Sequence, residues 1–188
     1  MRTLALICII IATYCAALAG PDDGHDSGLV SLATNIKTLH RVTDKPHPMR
    51  DSTVALCRPP TRNPHNIHEG FVQSAYCNVY VNDLAKQTMQ SGKGTYPVGS
   101  LIVKSKLRSK DNPDIELFTV MRKMADGYDA SNGNWEYSIV DGRSQRVFAS
   151  GRIDSCVACH TDFRATDYVT RTYMPNKAAE PGDEPKSR

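Results

Sequence analysis

The hydrophobic positions of the chain follow two periodicities, and the change between them separates the predicted elements. Apolar residues recur every three or four positions in LVSLATNIKTL, which predicts an amphipathic helix over Leu29–Leu39. Phe71–Val81 is instead rich in aromatic and β-branched residues, as expected of a strand. Between them, His40–Gly70 carries five prolines and few periodic apolar residues. We therefore expect a long irregular connection there.

The second half of the chain predicts a sheet with short connections. Asn82 is a suitable N-cap for a helix through Met89 that ends near Gly92. Turn residues bound three further strands and a returning hairpin strand: Val98–Leu107, Ile115–Met124, Trp135–Val140 and Arg146–Ala149. Such short connections favour antiparallel pairing. The predicted fold class is α+β: an antiparallel β-sheet with an N-terminal helix and a C-terminal helical segment that carries the motif described below.

Composition supports one globular domain and argues against a nucleic-acid partner. The chain has 188 residues, of which 40% are hydrophobic and 23% are charged. Its formal net charge of +3 is small, whereas capture of nucleic acid relies on many clustered basic residues. We expect no nucleic-acid partner.

The first 19 residues have the features of a secretory signal. A basic residue precedes the apolar run Leu4–Ala12, and Ala17-Leu18-Ala19 is a cleavage site of the usual kind. The predicted organisation is a signal peptide over 1–19, a domain over 20–174 and a disordered tail over 175–188. No later segment is apolar enough to span a membrane, so the mature protein is expected to be periplasmic or secreted.

Cleavage would leave four cysteines, and two of them form the strongest motif in the sequence. Cys156-Val157-Ala158-Cys159-His160 is the arrangement in which two thiols bind the haem vinyl groups as thioethers and the histidine ligates iron. Export and the adjacent histidine favour this interpretation, which makes the C-terminal helical segment haem-bearing, with one covalently attached haem c. A thioredoxin-like redox pair, a zinc site and a plain disulfide are the alternatives.

The position of the motif near the carboxyl end bears on the sixth iron ligand. Met174 is the only methionine that follows His160. The polar segment after Met174 has little apolar surface to hold it over the ring. We therefore favour an iron whose second axial position is open or weakly ligated, which would bind a small-molecule ligand or substrate.

Three segments in this order resemble the cytochrome P460 family. They are YPVGSLIVKSKL (96–107), FTVMRKMADGYDASNGNWEYSIVDG (118–142) and SCVACHTDFRATDYVTRTYMP (155–175). The resemblance implies an antiparallel sheet, one c-type haem near the C-terminus and a homodimer. In the founding type a lysine is joined to the haem and the enzyme oxidises hydroxylamine. The related cytochrome c prime beta lacks the link and binds nitric oxide and carbon monoxide.

The resemblance assigns four site residues. Cys156 and Cys159 match the thioether positions, His160 matches the proximal ligand, and Lys104 matches the cross-linking lysine, a catalytic role. Strand alternation places Lys104 on the same face as Ile102 and Lys106. That face is either a solvated basic surface or the face turned to the cofactor. We expect 106–110 to be exposed to solvent and to dock an acidic redox partner protein.

The sequence departs from the family at the distal carboxylate. Thr119 or a close neighbour stands where a catalytic Glu is expected, and the nearest acid is Glu116. Hydroxylamine oxidation must remove protons, so a missing general base would slow it. Whether the protein is an enzyme of the hydroxylamine-oxidising type therefore stays open. A nitric oxide binding protein and an electron carrier ligated by Met174 are the alternatives.

The remaining candidate residues have structural alternatives. Cys57 and Cys77 form either a disulfide or two buried thiols. Arg122 either packs or pairs with a haem propionate. His65 and His68 are expected to be exposed loop residues rather than metal ligands. Trp135 and Tyr137 are expected to pack the sheet.

Overall fold

An antiparallel sheet organises the part of the chain that the structure describes. The structure, a computed structural model, describes residues 23–49, 76–107, 109–143 and 146–174. Within these ranges the sheet has seven strands: β1 (His40–Arg41), β2 (His47–Pro48), β3 (Tyr76–Val81), β4 (Leu101–Leu107), β5 (Ile115–Lys123), β6 (Trp135–Asp141) and β7 (Val147–Gly151). Their order in the sheet is β1-β3-β4-β5-β6-β7, with β2 also paired to β3.

The predicted α+β class with an antiparallel sheet is confirmed. Every strand pair is antiparallel, as the short connections predict. β4 begins three residues later than predicted, because the chain turns before it: Gly99 has a φ of 85° and the Ser100 amide donates to the Pro97 carbonyl over 3.0 Å. Val98 is consequently exposed.

The described helices lie at three points along the chain. They are α1 (Asp23–Thr34), α2 (Asp83–Ser91) and α3 (Asp154–His160). α1 starts and ends earlier than the predicted Leu29–Leu39, and a short 3-10 turn, Ile36–Thr38, follows it. Asn35, a residue that favours helix ends, separates the two. α2 confirms the predicted cap, because the Asn82 side chain accepts from the Ala85 amide over 3.1 Å.

The connection after the first helix is less irregular than predicted. β1 and β2 add short antiparallel pairings to the edge of β3. Neither strand has an alternating apolar pattern, so its pairing depends on the open edge of β3 rather than on its own sequence. The predicted signal peptide, the tail over 175–188, and Cys57, His65 and His68 lie outside the described residues.

Each face of the sheet has its own apolar cluster. One cluster joins Ala33 of α1 to Leu101, Val103 and Phe118. The other combines Val79, Ile102, Trp135, Tyr137 and Val169, with Cys156 and Val157 of α3 packed against it. The chain after β7 therefore covers the face opposite α1. Trp135 and Tyr137 are buried in this second cluster, as predicted.

Candidate functional site

A cavity of about 430 Å³ lies between the sheet and the C-terminal segment. The sheet contributes Lys104, Thr119 and Met121, and α3 contributes Cys156, Cys159 and His160. All three predicted haem-binding residues of the motif thus border one cavity. Their spacing explains this, since residues three and four apart lie on the same side of a helix.

His160 is oriented by a backbone carbonyl. Its Nδ1 lies 2.7 Å from the carbonyl oxygen of Tyr168. A carbonyl only accepts, so Nδ1 carries the proton and Nε2 keeps its lone pair for a metal. Burial lowers the pKa of His160 to about 4, the hydrogen bond to Tyr168 opposes this, and Lys104 contributes in the lowering direction. The imidazole is therefore neutral at physiological pH, which is the form that ligates metals.

The ring of Tyr137 lies beside the imidazole. The two ring centroids are 5.2 Å apart, with a tilt of 45° between the planes. The Tyr137 hydroxyl donates to Asn132 Oδ1 over 3.0 Å, which holds the phenol in place. Burial raises the pKa of Tyr137 above its ordinary value, so this wall of the cavity is uncharged.

The residues present fit a haem. Two cysteines and an imidazole with its second nitrogen hydrogen-bonded to a carbonyl form the donor set of a c-type site. Val79, Ile102 and Met121 supply apolar surface to the same cavity, as a porphyrin needs. Within the described ranges no cluster of three or more His, Cys, Asp or Glu residues suits a metal ion.

Lys104 borders the same cavity. It lies in the middle of β4, where its Cα partners are Val79 on β3 and Thr119 on β5. The side chain is half-buried. The structure therefore favours a face turned to the cavity over a fully solvated basic surface.

The prediction that Lys106 is exposed to solvent is wrong. None of its side chain is exposed, and Nζ lies 3.4 Å from Glu116 Oε2. Its neighbours across the sheet, Cys77 and Leu117, are both buried. The alternation of side chains along β4 correctly predicted that Lys104 and Lys106 share a face of the sheet. It did not predict that this face is covered at Lys106. Lys110, beyond the strand, is exposed as predicted.

Thr119 and Glu116 have different positions relative to the cavity. Thr119 borders it, whereas Glu116 is outside the lining and faces Lys106. The nearest acid in sequence therefore does not replace the missing carboxylate. Cys77 also borders the cavity and is buried, while its candidate partner Cys57 lies outside the described residues.

Two residues considered as haem contacts lie elsewhere. Met174 borders a separate cavity of about 380 Å³ beside Met89 and Arg41. Arg122 pairs with Glu136, its Nη2 lying 2.7 Å from Oε2. Arg122 lies opposite Leu101 in the register, so it belongs to the sheet face that packs against α1.

Several residues of the site belong to no motif that could be recognised in the sequence. His47 and Met49 come from the proline-containing connection and border the cavity. Phe163 follows the motif and does the same. Tyr168 supplies the carbonyl for His160. None of them belongs to a periodic pattern, and a backbone carbonyl has no sequence signature, so the only available signal was proximity to the motif.

The sheet, the cavity and its donors define a haem cytochrome. A comparison with protein-family models matches Cytochrome P460 over residues 53–171, and the chain belongs to this family. Membership implies a haem cofactor. A comparison with curated proteins found no significant match. In the described part of the chain, no helix has the length and apolar character required to cross a membrane.

Proposed function

We propose that the chain is a periplasmic c-type cytochrome with one covalently attached haem, which carries out redox chemistry on a small nitrogen compound, hydroxylamine or nitric oxide. The observation that carries the proposal is the convergence of Cys156, Cys159, His160 and Lys104 on one cavity. Haem bound there would supply an iron that exchanges electrons and binds small nitrogen ligands.

Each residue has a distinct role in this proposal. Cys156 and Cys159 would hold the porphyrin through thioethers, and His160 would ligate the iron through Nε2. The Tyr168 carbonyl keeps the imidazole in one tautomer. Lys104 borders the same cavity from the sheet, where its amine would form the bond to the porphyrin edge.

Position 119 carries Thr instead of the expected Glu, which would limit the rate of hydroxylamine oxidation. The hydroxyl of Thr119 is a poor base, so proton removal from hydroxylamine would be slow. Among the described residues that line the cavity, Asp162 is the acid, and it is exposed. The alternative is therefore that the chain is a non-enzymatic protein that binds nitric oxide.

A plain electron carrier is a second candidate, supported by His47 and Met49. Both border the cavity, and either side chain is a haem ligand in other cytochromes. Met174, which borders the other cavity, is not favoured for this role. A carrier would show a low-spin, six-coordinate iron at rest. Met49→Leu or His47→Gln would convert that spectrum to a high-spin one.

Expression with a cytochrome maturation system tests attachment and export together. We expect an intact mass that corresponds to cleavage after Ala19 plus one haem. Replacing Cys156 and Cys159 by Ala should abolish the covalent adduct, whereas Cys77→Ala should retain it. A colourless product of unmodified mass would overturn the proposal.

The reduced spectrum tests Lys104. A lysine–haem bond gives a markedly red-shifted Soret band, which Lys104→Ala and Lys104→Arg should both abolish, because neither side chain carries a primary amine. An ordinary c-type spectrum in the wild type would assign the chain to the type without the link.

Kinetics separate an enzyme from a binder. Steady oxidation of hydroxylamine with an artificial electron acceptor supports the enzyme. Tight binding of nitric oxide without turnover supports the binding protein. We also propose that the chain forms a homodimer, which sedimentation tests, and that it exchanges electrons with an acidic partner protein, which the salt dependence of electron transfer tests.

A further inference from the structure

Two consecutive residues after the motif adopt left-handed backbone conformations. The φ angles of Asp167 and Tyr168 are 54° and 64°. Neither is glycine, and such residues persist only where surrounding contacts hold them. Tyr168 is the residue whose carbonyl accepts the Nδ1 proton of His160. Whatever holds this turn therefore also fixes the hydrogen bond of the proximal ligand.

A buried ion pair holds Asp167. Lys123 Nζ lies 2.8 Å from Oδ1 and 2.7 Å from Oδ2. The Lys123 and Asp167 side chains are only 6% and 10% exposed. The same ammonium lies 5.1 Å from the ring centroid of Trp135. Lys123 of β5 thus contacts a turn that lies 44 residues later in the sequence.

Further hydrogen bonds fix both residues of the turn. The Tyr96 amide donates to Asp167 Oδ2 and the Trp135 indole donates to the Asp167 carbonyl, each over 2.8 Å. The Tyr168 hydroxyl donates to the Ser131 carbonyl over 2.9 Å. The peptide between the two residues has little freedom to rotate while these contacts persist.

We propose that the Lys123–Asp167 ion pair positions the Tyr168 carbonyl and thereby sets how strongly His160 donates electrons to haem iron. The inference rests on the proposed function, and both residues are positioning residues that lie outside the cavity lining. A strong Nδ1 hydrogen bond raises the basicity of a ligating imidazole. A more basic imidazole stabilises the oxidised iron and lowers its reduction potential.

Stability alone is a weak reason for such a pair. Replacing a buried ion pair by well-packed apolar residues is often neutral or stabilising, because two charges must lose their water. Here the pair has a further consequence, since one partner belongs to the turn that carries the carbonyl. Loss of the pair would let the strained turn relax and the carbonyl move away from Nδ1.

The test uses the holoprotein and two measurements that do not depend on turnover. Lys123→Met and Asp167→Asn should raise the reduction potential of the haem. A tenfold shift of the redox equilibrium toward the reduced form corresponds to a rise of about 59 mV. In the five-coordinate ferrous protein the two variants should also lower the iron–histidine stretching frequency in resonance Raman spectra. Lys123→Arg keeps the charge, so its reduction potential and iron–histidine stretching frequency should lie close to the wild-type values.

A neighbouring ion pair supplies the control. Arg122 is the residue before Lys123, and its partner is Glu136 on the sheet face packed against α1. Arg122→Gln should therefore leave the potential and the stretching frequency unchanged. Asp167→Asn keeps an acceptor for the Tyr96 amide and a residue type that tolerates the left-handed region, so it should fold if Lys123→Met does not.

The outcomes separate this inference from the proposed function. A wild-type chain that takes up no haem overturns both. Haem-loaded variants with wild-type potential and stretching frequency overturn only the inference, as does an equal shift in Arg122→Gln. If neither Lys123→Met nor Asp167→Asn gives folded protein, the pair has a structural role, and the inference is also overturned.

Discussion

Removing the carboxylate of Glu116 should destabilise the protein without affecting the cavity. Lys106 is fully buried and Glu116 is 16% exposed, with 3.4 Å between Nζ and Oε2. Breaking a buried pair costs about 3–5 kcal/mol, because it leaves a charge uncompensated. Since Glu116 retains some contact with water, we expect about 3 kcal/mol for Glu116→Gln. A domain of this size loses about 2–4 °C per kcal/mol, which gives a fall in Tm of about 6–12 °C.

Thermal unfolding of the holoprotein, followed by circular dichroism, measures this fall. Asp114→Asn is the matched control, because Asp114 is exposed just before β5 and should change stability by no more than about 0.5 kcal/mol. The double variant Lys106→Met, Glu116→Gln should recover much of the loss. Equal melting of Glu116→Gln and Asp114→Asn would refute the role of the pair, and an altered haem spectrum would place Glu116 at the cavity.

Three other changes test the packing, the titration and the cavity. Leu29→Ala should cost about 2–5 kcal/mol in urea unfolding, because Leu29 is 1% exposed in α1. Burial raises the pKa of Tyr96 above 10, so the free energy of unfolding should fall as pH rises past about 10. The fall should be less steep in Tyr96→Phe. An equal dependence of stability on pH in both proteins would contradict this. Thr119→Glu should accelerate hydroxylamine oxidation if the missing base limits it, with Thr119→Gln as control; equal rates in both would contradict this.

Local signals were enough for β5 and β6, for the start of α2 and for the motif. Turn residues bound β5 and β6 closely, and Asn82 identified the start of α2. The Cys156–His160 motif is contiguous, so one helix fixes its geometry. These features depend on neighbours in sequence, and for that reason they were predictable.

The features that the sequence did not reveal depend on distant residues. Alternation along β4 correctly grouped Lys104 with Lys106, but whether that face is covered depends on other parts of the chain. The partner of His160 is the carbonyl of Tyr168, and the neighbouring Asp167 pairs with Lys123 of β5, far away in sequence. Met174 follows the motif in sequence, yet it packs beside α2. No periodicity encodes such contacts.

The most direct test of the account is the intact mass and reduced visible spectrum of the full chain matured with haem-ligation machinery. The account predicts a coloured protein whose mass exceeds that of the processed polypeptide by one haem, and loss of that addition when Cys156 and Cys159 are replaced. A colourless protein in which these two cysteines are joined to each other, or remain thiols, would contradict it.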